Sequence, residues 1–181
     1  PECPSGLRAF SRPTGMLQPD FFEKVIDELS PDLLYLILYF QGEPYLNKNL
    51  FEMIRYASQK KIYTATSTNA HYLDDDNARK TIESGLDRLI ISIDGTTQET
   101  YQQYRIGGSL EKVIKGAENM VKWKNKLKSK TPHLIFQFLV VKPNEHQIKE
   151  VQQLAKSIGI DEVVYKTAQL YDYVHGNALM P

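Results

Sequence analysis

Polar residues that could hold a charged ligand follow three apolar runs of the sequence. They are Gly42, Glu43 and Pro44 after the first run, Asn69 after the second run, and Ser92 and Asp94 at the third. If these runs are neighbouring parallel strands, their carboxyl ends meet at one edge of the sheet, where functional groups collect in α/β proteins. A carboxylate beside hydroxyl groups suits a ligand that offers an ammonium group and a ribose. The sequence therefore predicts a ligand site at that edge.

The third run directs two of these side chains into the same space. Side chains alternate along a strand, so Ser92 and Asp94 share one face while the neighbouring isoleucines share the other. A competing interpretation is that Asp94 caps the helix that follows Gly95. The residues alone leave both interpretations open.

The turn after the first run has features of a binding loop and of an ordinary loop. Gly42 lets a ligand approach the backbone closely, and Pro44 stiffens the turn beside Glu43. A Gly-Glu-Pro turn by itself is more typical of an ordinary loop. The acid also argues against a Rossmann phosphate site, because a pyrophosphate needs backbone amides and no negative charge.

Strand and helix patterns alternate along the sequence, which is typical of βαβ units and a parallel sheet. Runs rich in apolar, β-branched and aromatic residues predict strands at 33–40, 62–66, 89–93, 134–141 and 163–165. Apolar residues spaced three or four apart predict helices at 21–29, 50–57, 78–82, 110–127 and 148–158. Since no phosphate loop is present, the pattern favours an α/β barrel, or part of one, over an open doubly wound sheet.

Short polar signals and glycines mark the ends of the predicted helices. The start signals are Asp20 beside Pro19, the acidic run 74–77 and the segment 143–145. The acidic run could also be a metal site, but acids at a helix start satisfy free backbone amides, so capping is favoured. Gly85 and Gly159 each follow a helical pattern and predict its end.

Composition disfavours several classes of partner. The 22 basic residues cancel the 22 acidic ones, so no overall positive field draws the protein to nucleic acid or to an anionic membrane. No apolar run approaches the roughly 20 residues that a membrane span requires. Cys3 is the single cysteine, so no intrachain disulfide forms and a cytoplasmic location is predicted.

Three motifs in order along the chain carry a resemblance to a known family. Cys3 with Pro4 resembles the last cysteine of a Cys-x-x-x-Cys-x-x-Cys loop. The turn 40–44 resembles a Gly-Gly-Glu-Pro motif, and the segment 92–95, with Arg105 in the next loop, resembles a fourth-strand motif. Together they resemble the radical S-adenosylmethionine enzymes, in particular the SPASM-type branch of anaerobic sulfatase maturases and other peptide-modifying enzymes.

The resemblance implies a fold and a place for this chain within it. The family fold is a partial (β/α)₆ barrel similar to a TIM barrel, and the five predicted strands would be its second to sixth strands. Residues 1–181 would then form a single radical S-adenosylmethionine core domain, truncated at both ends, with the first strand upstream and the SPASM extension absent.

The resemblance also implies a role for each candidate residue. Cys3 would bind a [4Fe–4S] cluster as a thiolate. Glu43, supported by Gly42 and Pro44, would receive the ammonium group of S-adenosylmethionine, and Ser92 with Arg105 would hold its carboxylate. Asp94 would lie near the ribose, and Asn69 would line the pocket. The resemblance assigns no residue of this chain a catalytic role on the substrate.

A radical mechanism is the activity that the resemblance implies. The cluster would deliver an electron to S-adenosylmethionine, and the resulting 5′-deoxyadenosyl radical would abstract hydrogen from a peptide or protein side chain. An electron donor such as flavodoxin or ferredoxin would be a partner. Two other hypotheses stay open. One is a conventional barrel enzyme with Glu43 and Asp94 as an acid–base pair, and the other is a non-catalytic module that binds peptides at an open sheet edge.

Three features depart from the family pattern. The chain offers Cys3 alone where three cysteine ligands are needed, so it should not hold the cluster as it stands. Gln41 replaces the first glycine of the turn, which alters local backbone geometry. Glu2 occupies a position that is often aromatic in the family, which argues against an adenine contact there.

Overall fold

Five parallel strands form one sheet, with helices in the connections between them. A computed structural model describes residue 11, residues 13–168 and residues 177–181. The strands are β1 (Tyr35–Ile37), β2 (Tyr63–Thr68), β3 (Arg88–Ser92), β4 (His133–Val140) and β5 (Glu162–Thr167). The helices are α1 (Pro19–Leu29), α2 (Leu50–Gln59), α3 (Asp75–Glu83), α4 (Gln98–Tyr104), α5 (Leu110–Lys126) and α6 (Ile148–Ile158). Two short 3₁₀ helices, Pro44–Leu46 and Glu145–Gln147, complete the described elements.

The strand order distinguishes a barrel from a doubly wound sheet. The strands lie in the order β1-β2-β3-β4-β5, and every neighbouring pair is parallel. Because each crossover moves in the same direction, right-handed connections place the helices on a single face. A doubly wound sheet would reverse direction at a switch point. The arrangement confirms the predicted part of a barrel.

The main core lies between the sheet and its helices. Leu89, Ile91 and Ile93 of the β3 segment and Phe136 and Phe138 of β4 are fully or almost fully buried. They pack with the apolar stripe of α5, which consists of Leu110, Val113, Ala117 and Met120. A smaller core joins α1 to α2 through Phe22, Ile26, Met53 and Ala57. The intervening strand residues therefore face away from the described helices, and we call that side, which carries no helix among the described residues, the helix-free face.

Strand β1 is shorter than predicted. The apolar run 33–40 contributes only Tyr35–Ile37 to the sheet, and its flanking residues Leu34 and Phe40 are exposed by 83% and 88%. Leu34 and Phe40 are hydrophobic but lie outside strand β1, so hydrophobicity alone does not place a residue in the sheet. Among the described residues, the other edge of β1 has no strand partner, so binding of a peptide at that edge stays a hypothesis.

Most of the predicted helix ends are confirmed. Asp74 caps α3, because its carboxylate accepts a hydrogen bond from the Asn77 backbone NH at 2.8 Å. Gly159 ends α6 in the left-handed conformation, and Gly85 follows α3 with a φ of 80°. The segment 143–145 is different, because Asn144 lies before a 3₁₀ turn and α6 begins only at Ile148. No helix of the described residues is long and apolar enough to cross a membrane.

Candidate functional site

Glu43 joins the turn after β1 to the carboxyl end of β2. Its Oε1 accepts hydrogen bonds from the Tyr45 backbone NH at 3.2 Å and from the Thr68 hydroxyl at 2.8 Å. Its Oε2 accepts one from the Asn69 backbone NH at 2.8 Å. Gly42 turns the chain into this position with a φ of 85°, which favours glycine. The predicted residues of these two loops are therefore brought together.

The Glu43 carboxylate lies in surroundings that favour a positively charged ligand. Burial raises its pKa above the usual value, and the hydrogen bonds from Asn69, Thr68 and Tyr45 offset only part of that effect. No lysine or arginine of the described residues forms an ion pair with it. Glu43 is half-buried, and a partly desolvated carboxylate without a cationic partner is stabilised by a ligand that carries the opposite charge.

Asn69 is held in place from two directions. Its side-chain Oδ1 accepts a hydrogen bond from the His71 backbone NH at 2.9 Å, while its backbone NH binds Glu43. The His71 ring contacts the Asn69 carbonyl through Nδ1 and accepts from the Ser109 backbone NH through Nε2, both at 2.9 Å. Because Nε2 accepts, the proton of the neutral ring is on Nδ1. His71 thus joins this loop to the residue that precedes α5.

Asp94 and Arg105 form an ion pair beside the same edge of the sheet. Asp94 is only 1% exposed. Its Oδ2 accepts from Arg105 Nε, and its Oδ1 accepts from the Leu139 backbone NH at 2.9 Å. Burial opposes the charge of the guanidinium, but the attraction of Asp94 outweighs burial and raises the pKa of Arg105.

This pairing decides between interpretations of Asp94. The residue that caps α4 is Thr97, whose side chain accepts from the Thr100 backbone NH at 3.3 Å, so capping by Asp94 is wrong. Both oxygens of Asp94 already accept hydrogen bonds and one pairs with a cation. A carboxylate held in this way is a poor partner for Glu43 in acid–base catalysis.

Ser92 lies at the end of β3 on the helix-free face. It pairs with Gln137 in the sheet and is 9% exposed. Its hydroxyl makes no hydrogen bond to the residues that the structure describes, while its neighbours Ile91 and Ile93 pack in the core. Ser92 therefore offers a donor and an acceptor close to where Asp94 holds Arg105.

A shallow cavity opens between the loops that carry Asn69 and Arg105. Its volume is about 280 Å³. Its lining comprises Asn69, His71, Tyr72, Tyr101, Arg105, Ile106, Gly107 and Gly108. Burial raises the pKa of the Tyr101 hydroxyl to about 12, so Tyr101 is neutral in this wall. Two of the predicted site residues, Asn69 and Arg105, thus line the same cavity. Glu43 is hydrogen-bonded to the backbone NH of Asn69.

Several residues support the site although the sequence pattern does not identify them as site residues. Asn144 is fully buried, and its side-chain amide donates to the Asp94 carbonyl at 3.0 Å and to the Leu139 carbonyl at 2.8 Å. Gln147 accepts from the Thr96 backbone NH at 2.8 Å. Thr96 is 51 positions away from Gln147, and Asp94 is 50 positions away from Asn144, so local spacing could not have identified these contacts.

The predicted cluster ligand Cys3 lies outside the described residues. Among the residues that are described, no group of three or more His, Cys, Asp or Glu side chains is arranged to hold a metal ion. The Glu43, Asn69, Ser92 and Arg105 groups are instead suited to an organic ligand with both an ammonium group and a carboxylate.

Comparison with known sequences connects this geometry to a family. A family model described as the Radical SAM superfamily matches residues 3–155. The AdoMet-dependent heme synthase of Methanosarcina barkeri is 28% identical over 155 residues, which cover 85% of this chain and 42% of that protein. The PqqA peptide cyclase of Bradyrhizobium diazoefficiens is 26% identical over 91% of this chain and 42% of its own length. The chain thus spans less than half the length of these curated relatives.

Solved structures share the fold at low sequence identity. Streptococcus suis SuiB bound to S-adenosylmethionine superposes with a TM-score of 0.71 at 15% identity, covering 90% of this chain and 37% of that one. Native anSMEcpe with bound AdoMet and the Cp18Cys peptide gives a TM-score of 0.73 at 16% identity, covering 95% and 50%. Both contain the part of a barrel that the strand order indicates here.

Proposed function

The chain belongs to the radical SAM superfamily, and from that premise we propose that the full-length protein is an enzyme that cleaves S-adenosylmethionine reductively and modifies a peptide or protein side chain. The observation that carries the proposal is Glu43, a half-buried carboxylate with no cationic partner among the described residues, at the carboxyl end of a parallel sheet. The family supplies the reaction class, and Glu43 supplies a fitting site for the ligand.

The Glu43 site fits an ammonium group in charge and in hydrogen-bonding capacity. An ionised carboxylate accepts about four hydrogen bonds, and three are made here by Tyr45, Thr68 and Asn69. These three bonds fix the orientation of the carboxylate before any ligand binds. A position on Oε2 is left for a charged donor, so Glu43 would bind the methionyl ammonium.

Arg105 and Ser92 would bind the methionyl carboxylate. Arg105 uses Nε for Asp94, and the planar guanidinium keeps further NH donors for a second anion. Asp94, fixed by Leu139, would act mainly as a positioning residue for Arg105. A ribose contact for Asp94 and a lining role for Asn69 remain part of the proposal.

Cys3 would be one ligand of a [4Fe–4S] cluster, because a thiolate is the ligand that such clusters prefer. When bound, the cluster supplies the electron that breaks the sulfonium bond of S-adenosylmethionine and releases a 5′-deoxyadenosyl radical. The described residues would hold the other end of the ligand and exclude water from it. Flavodoxin or ferredoxin would be a suitable electron donor.

A peptide or protein is the substrate class that the relatives favour. One solved structure is of SuiB bound to its precursor peptide SuiA, and another is of anSMEcpe with a bound peptide. A curated relative is named a peptide cyclase. Heme synthases are also among the relatives, so the test must include substrate-free cleavage of S-adenosylmethionine, which does not depend on the substrate.

The test is anaerobic reconstitution of the full-length protein with iron and sulfide, followed by measurement of 5′-deoxyadenosine from S-adenosylmethionine under a strong reductant. We expect product from the wild type, none from Cys3→Ala, and at least about a tenfold loss of S-adenosylmethionine affinity in Glu43→Gln. Glu52→Gln, on the exposed side of α2, is the matched control and should behave as wild type. A reconstituted wild type that neither binds nor cleaves S-adenosylmethionine would refute the proposal.

A further inference from the structure

Lys166 faces the side of the sheet opposite to the helices. Tyr165 packs in the core with its ring edge-on to Phe138, and its hydroxyl donates to the Ile148 carbonyl of α6 at 3.1 Å. Side chains alternate along a strand. Since Tyr165 is fixed on the helix side, Lys166 must project from the helix-free face, and it is exposed there.

Few strand residues at the carboxyl half of this face are charged, and the Asp94–Arg105 ion pair lies beside them. The described strand residues that point there, as the register places them, are Ile37, Ser67, Ser92, Gln137, Leu139, Val164 and Lys166. Within that set Lys166 is the one charged side chain. It forms no ion pair with the described residues, whereas Lys60, Lys122 and Lys124 on the outer surface all pair with aspartates.

Gln137 provides a polar neighbour for Lys166. Gln137 lies on the adjacent strand, paired with Ser92 on one side and Val164 on the other. It is partly buried, and its side-chain amide makes no hydrogen bond to a described residue. An ammonium group and an amide NH on the same face are together suited to a carboxylate.

The position of Lys166 favours a substrate carboxylate over that of S-adenosylmethionine. The groups proposed for the methionyl end lie at β1, β2 and β3, whereas Lys166 lies on β5. Neighbouring strands are about 4.8 Å apart, so β5 lies roughly 10 Å from β3, and the Lys166 backbone is more than that distance from the backbone of Ser92. Arg105 is already proposed to bind the methionyl carboxylate beside β3, so Lys166 is available to bind a different anion.

We infer that Lys166, with Gln137 beside it, binds a carboxylate of the peptide substrate and so selects substrates with an acidic residue near the modified position. The inference rests on the proposed function and specifies in addition that the peptide substrate is negatively charged near the modified position. Lys166 is on this account a specificity-determining residue.

The experiment uses the full-length protein, ¹³C-methylated at its lysines, and two small probes. These are N-acetyl-glutamate N-methylamide and its neutral glutamine analogue. We expect the glutamate probe to shift the Lys166 resonance, identified by its loss in Lys166→Gln, and to bind about tenfold more tightly than the glutamine probe. Lys166→Gln should abolish that preference, and Lys166→Arg should retain most of it.

Lys149→Gln is the matched control, because Lys149 is exposed on α6 on the other side of the sheet, and this variant should keep the preference. Equal binding of the two probes to the wild type, or no shift at Lys166, would overturn the inference. So would a tenfold loss of S-adenosylmethionine affinity in Lys166→Gln, because it would assign Lys166 to the methionyl carboxylate. A wild type that prefers the glutamate probe through Lys166 but never cleaves S-adenosylmethionine would contradict the proposed function and leave the anion site standing.

Discussion

Glu43 and Asp94 are carboxylates at the same edge of the sheet, but their surroundings suit them to different roles. Asp94 has a cationic partner in Arg105 and an amide partner in Leu139. Glu43 has hydrogen-bond donors but no cationic partner among the described residues, and burial raises its pKa. A paired carboxylate holds protein groups in place, whereas a half-buried one without a cationic partner can bind a cation.

The raised pKa of Glu43 predicts that S-adenosylmethionine binding weakens in mild acid. The ammonium group of the ligand favours the ionised carboxylate, so affinity is present above the raised pKa and is lost as pH falls through it. Below that pKa, affinity should fall by up to about tenfold per pH unit. Equilibrium dialysis of S-adenosylmethionine with the full-length protein between about pH 5 and pH 8 would measure this.

The contribution of Glu43 to the stability of the ligand-free protein should depend on pH in the sense opposite to ligand affinity. The pKa of Glu43 is higher in the folded state than in the unfolded state, so its contribution to stability is largest when it is protonated and is lost as pH rises through the folded-state pKa.

The control for the binding prediction is Glu43→Gln. In this variant the affinity for S-adenosylmethionine should be weak and should not change with pH over this range. A wild-type affinity that stays constant, or that rises in acid, would contradict the role of Glu43.

At the scale of elements, the close approach of β3 and α4 predicts a strong effect of Gly95→Ala. A Cβ atom at Gly95 would lie 2.5 Å from the Tyr101 backbone nitrogen and 2.7 Å from its Cα. Both are atoms that a side-chain rotation cannot move, so the chain must shift. We expect a loss of roughly 1–3 kcal/mol in the free energy of unfolding, measured by urea denaturation. The shift would also displace Arg105 at the end of α4.

Gly15→Ala is the matched control for this prediction. Nothing lies within 4 Å of a Cβ at Gly15, so the same change there should leave stability within about 0.5 kcal/mol of the wild type. If both variants unfold at the same urea concentration as the wild type, the packing of α4 on the end of β3 is looser than described.

The sequence pattern identifies elements that contribute apolar stripes and misses those held by polar contacts. The helix α5 is predicted almost to the residue, because its apolar positions recur at helical spacing. The helix α4, with the sequence QETYQQY, has no such stripe and is stabilised by the Thr97 cap and the buried Tyr101. Glu43, Asn69, Ser92 and Arg105 are recognisable as candidates because they follow strands or motifs. His71 and Asn144 are not, since their partners are distant in sequence.

At the scale of the molecule, the strand order indicates where the sheet should be most and least stable. Strands β3 and β4 have neighbours on both sides and contribute the most buried side chains of the core. Strand β1 has three residues in the ladder, and its side chains are exposed or half-buried. Stability in such a sheet is uneven, because an amide opens more easily where fewer neighbours must separate.

Native-state hydrogen exchange of the 181-residue chain should therefore show a gradient across the sheet. We expect the amides of Ile90 and Ile91 to exchange through global unfolding, because β3 pairs with β2 on one side and with β4 on the other, and both residues are buried. The amides of β1 should exchange through local opening at a rate at least about a hundredfold faster, which corresponds to a difference of roughly 2.7 kcal/mol in opening free energy. Uniform protection from β1 to β5 would contradict this gradient and would indicate that another segment covers the edge of β1 that has no strand partner among the described residues.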